Sequence, residues 1–301
     1  MRILLTGGTG YLGKRFVEKF YADNEIIIFG RNSSMKDCYF FKSKNIILEN
    51  GLIEENTIFD LVKKYQPDVI IHLAALSGLK NCEENPFNAF ITNVFGTYNV
   101  ARSCLLEKSK LIFLSSREVY GETQGNASFE NDSLLPVNVY GMTKMLAENI
   151  IENLGNTQNL DYVIFRVTNV YGPGGERRGV NRIIDSVINK NFIQINGGNQ
   201  TLNLIYVDDL IEIIHNIISN KKISKQIFNI GSNDTISINE FCKIIEKLVQ
   251  KNLTIEYLPK IDYEVTFFKP DIQKLDKILE FPKTSLIEGL KKTLSQSRLE
   301  K

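Results

Sequence analysis

RILLTGGTGYLGKRFVEKF, residues 2–20, carries the pattern on which the fold turns. Residues 2–6 form a short apolar run of strand length, a glycine-rich turn follows, and Leu12, Phe16, Val17 and Phe20 then recur at helical spacing. Gly7, Gly10 and Gly13 stand in that turn as GxxGxxG. The first permits a tight turn, the second lets a pyrophosphate approach the backbone, and the third lets helix and sheet pack closely. A glycine triplet alone arises by chance. Its position between the first strand and the first helix reads as a dinucleotide-binding turn.

Working outward, β-branched runs at 25–29, 46–48, 69–72, 111–115 and 162–166 alternate with amphipathic helical stretches such as 87–106. Strands alternating with helices predict an α/β fold, a Rossmann-type doubly wound parallel sheet covered on both faces. Beyond about residue 170 the rhythm breaks at Gly172-Pro173-Gly174-Gly175 and again at Gly197-Gly198-Asn199. A helix over 207–218, a strand over 226–230, a helix over 238–249 begun by Ser237, and a short strand with two helices within 255–294 are expected there. The division is therefore a dinucleotide-binding domain over 1–170, with later segments able to return to it, and a smaller C-terminal α/β part over 171–301. That second part is expected to bind substrate and to cover the sheet's carboxyl edge.

Composition narrows the partners. The chain has 301 residues, 43% of them apolar, enough for a full globular core. Lys plus Arg number 36 against 35 Asp plus Glu, so no field of one sign recruits nucleic acid or an anionic membrane. Cys38, Cys82, Cys104 and Cys242 lie far apart without CxxC spacing, which argues against a metal site and a disulfide framework. No apolar run approaches the roughly 20 residues of a membrane span, and the N-terminus lacks a signal peptide. The expectation is a cytoplasmic protein without metal, beginning at Met1.

Tyr140 and Lys144 form a YxxxK pair in the first turns of a predicted helix, four residues apart and so on one face. A neighbouring ammonium favours the phenolate, which would make Tyr140 an acid or base near neutral pH. The alternative is a half-buried tyrosine beside a solvated lysine. LSSREVYG, residues 114–121, closes an apolar strand about 20 residues earlier, at the edge where sites form. Ser116 there can donate to a substrate oxygen, or Ser115 and Ser116 can cap the strand end. Glu118 is a third catalytic candidate, or a loop carboxylate paired with Arg117 at the surface. After the second strand comes Arg31-Asn32 instead of the acidic residue that would hold a ribose hydroxyl. Arg31 can pair with a 2′-phosphate, favouring NADP, or can stack on adenine and leave NAD in place.

In order along the chain stand TGGTGYLG, HLAA (72–75), NVFGT (93–97), SSREVYG, YGMTK, FRVTNVYGPG (165–174) and YVDD (206–209). With this series the chain resembles the NAD-dependent epimerase/dehydratase family of extended short-chain dehydrogenases, which includes UDP-glucose 4-epimerase. The resemblance runs on through FNIGS (228–232) and KPDIQKL (269–275). It implies that Tyr140 is the catalytic base, that Lys144 lowers its pKa and binds the nicotinamide ribose, and that Ser116 holds the sugar hydroxyl. It implies cofactor contacts from Gly7, Gly10, Tyr11, Leu12, Gly13, Arg31, Asn32, Ala74 and Asn93, and a substrate contact from Asn169. Asn93 and Asn169 read equally as polar caps at element ends. A homodimer through helices 87–106 and 140–154 is implied in the same way.

Departures bear on the substrate. Leu202, Asn203 and Leu204 stand where the family shows Arg-Asp-Phe, and Phe268 stands where it shows a second arginine for the diphosphate. Arg177, Arg178, Arg182 or Lys269 can replace them, or can be solvated surface charges. Asn50-Gly51 stands where the family often places Asp near the adenine. The expected reaction is a nucleotide-sugar 4-epimerase, ahead of an NADPH-dependent 4-ketoreductase and a 4,6-dehydratase. Glu118 matches the dehydratase base, but Arg117 replaces one subgroup's acid; Phe268 disfavours decarboxylation. A non-catalytic NAD(P)-binding regulator is the reading from another class.

Overall fold

The computed structural model describes residues 1–31, 43–123, 125–175, 179–190 and 192–299. The chain runs β1 (Arg2–Thr6), α1 (Tyr11–Phe20), β2 (Glu25–Gly30), β3 (Ile46–Asn50), α2 (Thr57–Tyr65) and β4 (Val69–His72). Helices α3 (Leu79–Glu84) and α4 (Pro86–Phe90) follow, then a π-helical stretch Ile91–Gly96 that continues into α5 (Thr97–Glu107). Next come β5 (Lys110–Ser116), β6 (Ala127–Ser128), α6 (Val139–Gln158), β7 (Tyr162–Val167) and β8 (Asn169–Tyr171). The chain continues through α7 (Asn181–Asn189), β9 (Phe192–Asn196), β10 (Thr201–Tyr206), α8 (Val207–Ser219), β11 (Gln226–Ile230) and β12 (Thr235–Ser237). It ends with α9 (Ile238–Val249), β13 (Thr254–Leu258), β14 (Lys269–Pro270), α10 (Gln273–Asp276) and α11 (Leu286–Leu299).

Seven strands pair in the order β11-β7-β5-β4-β1-β2-β3, every neighbouring pair parallel. Strand order reverses beside β1, so a crevice opens where the carboxyl ends of β1 and β4 diverge. The strands read as continuous apolar runs because both faces are covered. Ile3, Leu5, Ile26 and Ile28 pack with Phe16 and Val17 of α1 and with Leu210, Ile213 and Ile214 of α8. Leu4, Ile27 and Phe29 point the other way, to Ile58 and Val62 of α2, Val100 of α5 and Ile151 of α6. Segments beyond residue 170 thus return to the large sheet, through α8 and through β11 at its edge.

The rest of the later chain has its own core, in which Tyr171, Ile184, Val187, Ile195, Leu204, Phe241 and Leu290 meet. Around it lie a three-stranded sheet, β12-β10-β8, and the pair β13-β9. Ser237 starts α9 with a capping box: its side chain accepts from Glu240 N and the Glu240 carboxylate accepts from Ser237 N. The single helix expected over 87–106 contains a π-helical stretch instead. Within it Asn93 turns inward and spends its side-chain amide on both backbone groups of Leu76. No helix among the described residues is long and apolar enough to cross a membrane.

Candidate active site

A cleft of about 1040 Å³ runs along the carboxyl edge of the large sheet, walled on the far side by residues of α7, β9, β10 and the 261–265 segment. Gly7, Gly10, Tyr11, Leu12, Gly13, Arg31, Ala74, Ser116, Glu118, Tyr140, Lys144 and Asn169 all line it. Four expected residues stand apart. Asn32, Arg177 and Arg178 lie outside the described residues. Asn93 is 1% exposed and lines no part of the cleft. The polar-cap reading fits it: besides Leu76 it donates to Thr143 Oγ1 at 3.0 Å, tying the HLAA strand end to α6.

The glycine turn is built for close approach. Gly7 has φ +71°, and a Cβ there would lie 2.7 Å from Ala74 N; a Cβ on Gly13 would lie 2.4 Å from Gly8 Cα. At Gly10 a Cβ would meet only Gly7 O, at 3.2 Å, so that glycine leaves open floor. These residues fit a dinucleotide whose pyrophosphate sits against the start of α1. Beneath the turn a buried chain of hydrogen bonds joins strand ends that the sequence kept far apart. Thr97 Oγ1 donates to Asn93 O at 2.6 Å and so accepts from His72 Nε2 at 3.0 Å, which leaves His72 Nδ1 to accept from Thr6 Oγ1 at 2.7 Å. Burial, with the Lys144 charge adding to it, lowers the His72 pKa to about 3. The imidazole is therefore neutral at physiological pH, and its role is to hold the turn.

Helix α6 positions the other end. Asn138 caps it, accepting from Gly141 N at 2.7 Å. A Cβ on Gly141 would lie 2.4 Å from Glu118 O, so only glycine lets the first turn seat against the Arg117–Val119 turn. This contact sets Tyr140 near Ser116 in the cleft, and Ser116 Oγ accepts from Glu118 N at 3.2 Å, so the cap reading also holds for it. Lys144 Nζ lies 5.9 Å from the centroid of the Tyr140 ring and donates to Leu114 O at 2.7 Å.

Two electrostatic expectations change. The Tyr140 phenol is pushed up, not down: burial dominates, Cys82 and Glu118 add to it, and the nearby Ser116 hydroxyl opposes it only in part. A further positive charge against the ring is what would bring the phenol down. Glu118 is not a surface carboxylate. Its partner is Arg117, with Nη2 3.0 Å from Oε1, yet the two side chains are only 7% and 10% exposed. Glu118 also accepts from Asn138 Nδ2 at 2.8 Å. Of the cations considered for a diphosphate, Arg182 lines the cleft from α7 with an exposed side chain, while Lys269 is exposed outside it.

Lys144 is lowered to about 8, first by burial, with Glu148 and Cys82 opposing. Between about 8 and the ordinary 10.5 the unfolded chain therefore holds a proton that the folded chain has lost. The cost of burying this amine is full below pH 8 and fades as the pH rises through that window. Lys144→Met removes it. The unfolding free energy of the cofactor-free parent minus that of the variant should climb by about 1 kcal/mol per pH unit between roughly pH 8 and 10 in urea titrations. A flat difference would show that the amine is not desolvated.

The cleft also holds residues that no motif announced. Gln200 and Glu264, joined by a 3.0 Å hydrogen bond, face the sheet from the smaller core's side. Leu202 lines it from β10, whereas Asn203 is buried there and clasps Ser232 O and Asp234 O at 2.7 and 2.9 Å. Phe268 is 1% exposed, its ring centroid 5.6 Å from that of Tyr120.

Comparison with known proteins gives concordant matches. The model of the NAD dependent epimerase/dehydratase family matches residues 3–231. UDP-N-acetyl-alpha-D-glucosaminuronate decarboxylase of Bacillus cytotoxicus is 32% identical over 99% of this chain and 98% of its own. UDP-glucuronate 4-epimerase of Thermodesulfobacterium geofontis is 30% identical over 98% and 95%. Among solved structures, UDP-glucose 4-epimerase of Thermotoga maritima with UDP-glucose superposes with TM-score 0.91 at 26% identity, covering 100% and 99%.

Proposed function

The chain belongs to the NAD-dependent epimerase/dehydratase family, and from that premise we propose that it is a nucleotide-sugar 4-epimerase working through Tyr140. The observation that carries this reading is that Ser116, Tyr140 and Lys144 line one cleft with the glycine turn, Lys144 Nζ lying 5.9 Å from the Tyr140 ring centroid. A nicotinamide dinucleotide bound there would supply the redox step, taking two electrons and a hydrogen from the sugar's 4-position and giving them back. Ser116 orients the sugar hydroxyl. Tyr140 takes its proton and returns it. Lys144 holds the ribose and contributes positive charge close to the phenol. Glu118, fixed by Arg117 and Asn138, stands beside this set as a further acid-base group. Asn169, its Nδ2 donating to Asn203 O at 3.2 Å, lines the cleft as a further polar contact for the substrate.

The cofactor's form turns on Arg31, exposed at the end of β2 in the cleft wall. It gives a 2′-phosphate a partner, while the related structures were solved with NAD; titrating both forms into the protein decides between them. A homodimer belongs to the same reading. Phe87, Ile91, Phe95, Tyr98 and Leu106 lie exposed along the 86–107 helix, with Met142 exposed on α6. A second copy would bury such a stripe; a monomer at micromolar concentration in sedimentation would remove this part.

A decarboxylase is the second reading, favoured by the 32% identical relative. Phe268, an apolar and 1% exposed residue, stands where related decarboxylases carry an arginine, and on that departure the epimerase stands first. Incubation with a panel of UDP-sugars separates the outcomes. An isomer without net change in nicotinamide absorbance supports the epimerase, release of carbon dioxide the decarboxylase, and stoichiometric oxidation of reduced cofactor a reductase. No turnover with any sugar would leave a binding protein.

A further inference from the structure

Among the described residues, the cleft-lining cations are Arg31, Lys80, Arg117, Lys144 and Arg182. Arg31, Lys80 and Arg182 are exposed, and Lys144 is engaged with Leu114 O. Arg117 differs from all of them. It is 9% exposed, its Nη2 pairs with Glu118, and its Nη1 is buried without a hydrogen-bond partner. The guanidinium is held in place: its carbon lies 5.6 Å from the Phe268 ring centroid, and Asn138 fixes the far oxygen of Glu118. A buried donor left without a partner is destabilising, and more so when it is charged. A guanidinium with one nitrogen paired and another left without a partner still has a donor for an incoming carboxylate.

Its place in the chain says where that carboxylate would sit. Arg117 directly follows Ser116, which together with Tyr140 holds the sugar's reacting hydroxyl, so the group it meets is on the sugar and not on the distant nucleotide. We propose that Arg117 grips a carboxylate carried by the sugar close to its reacting carbon, which makes the substrate class a nucleotide-linked hexuronic acid. This rests on the epimerase reading and narrows it. Two protein carboxylates already feel the same guanidinium. Glu118 is in contact with it, and Glu264 faces it across the cleft, its carboxyl raised by burial and by Glu118 and lowered by Arg117. Glu118 accepts from Arg117 Nη2 and Asn138, and Glu264 from Gln200, and neither is hydrogen-bonded to Arg117 Nη1.

The test compares UDP-glucuronate with UDP-glucose on the cofactor-loaded protein. The parent should show the higher kcat/KM and the tighter dissociation constant for the uronate. Arg117→Gln removes the charge, and Arg117→Lys keeps it without the fork. The ratio of kcat/KM, uronate over neutral sugar, should fall by roughly 30-fold to 1000-fold in the glutamine variant, as expected for truncating a buried charge partner, and by less in the lysine variant. Because Arg117→Gln strands Glu118, Arg117→Gln with Glu118→Gln is made alongside it, and its binding ratio is read by calorimetry. Tighter binding of UDP-glucose by the parent, or a ratio that no variant changes, overturns the assignment. Absence of isomer and of any absorbance change with both sugars sinks the epimerase reading instead.

Discussion

Tyr140→Phe is expected to lower kcat by roughly 10²–10⁴-fold, the span over which a positioned proton-transfer group contributes, while cofactor affinity stays within a few-fold of the parent. The ring is kept, so α6 still seats through Asn138 and Gly141 against the Arg117–Val119 turn. What is lost is the hydroxyl that faces the cleft near Ser116. In the cofactor-free cleft that hydroxyl is protonated well above neutrality, because burial outweighs every stabilising partner. In that state it can give a proton to an alkoxide; once additional positive charge nearby has drawn its own proton away, it can take one from the sugar's hydroxyl. Steady-state isomerisation of the parent's best UDP-sugar, with cofactor binding followed by fluorescence, measures both halves. A variant that keeps turnover within ten-fold would show that another group moves the proton.

Arg166→Met should cost about 3–5 kcal/mol of stability, the usual result of removing one partner from a buried pair. Arg166 is 3% exposed and Glu148 0%. Arg166 Nη2 and Nε donate to Glu148 Oε2 at 2.7 and 3.0 Å, and Nη1 donates to Tyr120 Oη and Glu130 O, both at 2.9 Å. Tyr120 in turn donates to Asn229 Oδ1 at 2.7 Å. One guanidinium therefore joins α6, which carries Tyr140 and Lys144, to β7, to the segment after β5 and to β11. Methionine fills the space but leaves the Glu148 charge desolvated and alone. Changing Glu148→Leu as well removes that charge and should recover much of the loss, since apolar replacements of whole buried pairs are often tolerated. Urea unfolding of the three proteins measures this. A single variant within 1 kcal/mol of the parent would mean that water reaches the pair.

Much of the site was legible because its signals are local. Gly7, Gly10 and Gly13 are three residues apart, Tyr140 and Lys144 share a helical turn, and Ser116 ends an apolar strand; neighbours in sequence are neighbours in space at those distances. The same holds for the alternation of strand and helix, and for Ser237 as the start of α9. The walls of the cleft were not legible in this way. Gln200 and Glu264 come from segments more than 60 residues apart, and nothing in their own surroundings marks them. Spacing predicts a lowered Tyr140 pKa and the fold raises it, because spacing reports that Lys144 is close while only packing reports how little water reaches the phenol. Arg117 and Glu118 were equally hidden: adjacent opposite charges look like a solvated pair until Phe268 and Asn138, contributed from far along the chain, close over them.

By itself the sequence determined the element order, the parallel sheet and the acid-base pair, since periodicity and short-range geometry act within a few residues. Only the tertiary structure decided which charges are buried, which donor is left free and what faces the reacting hydroxyl, because desolvation and orientation are set by chain segments that meet only when the whole fold has formed.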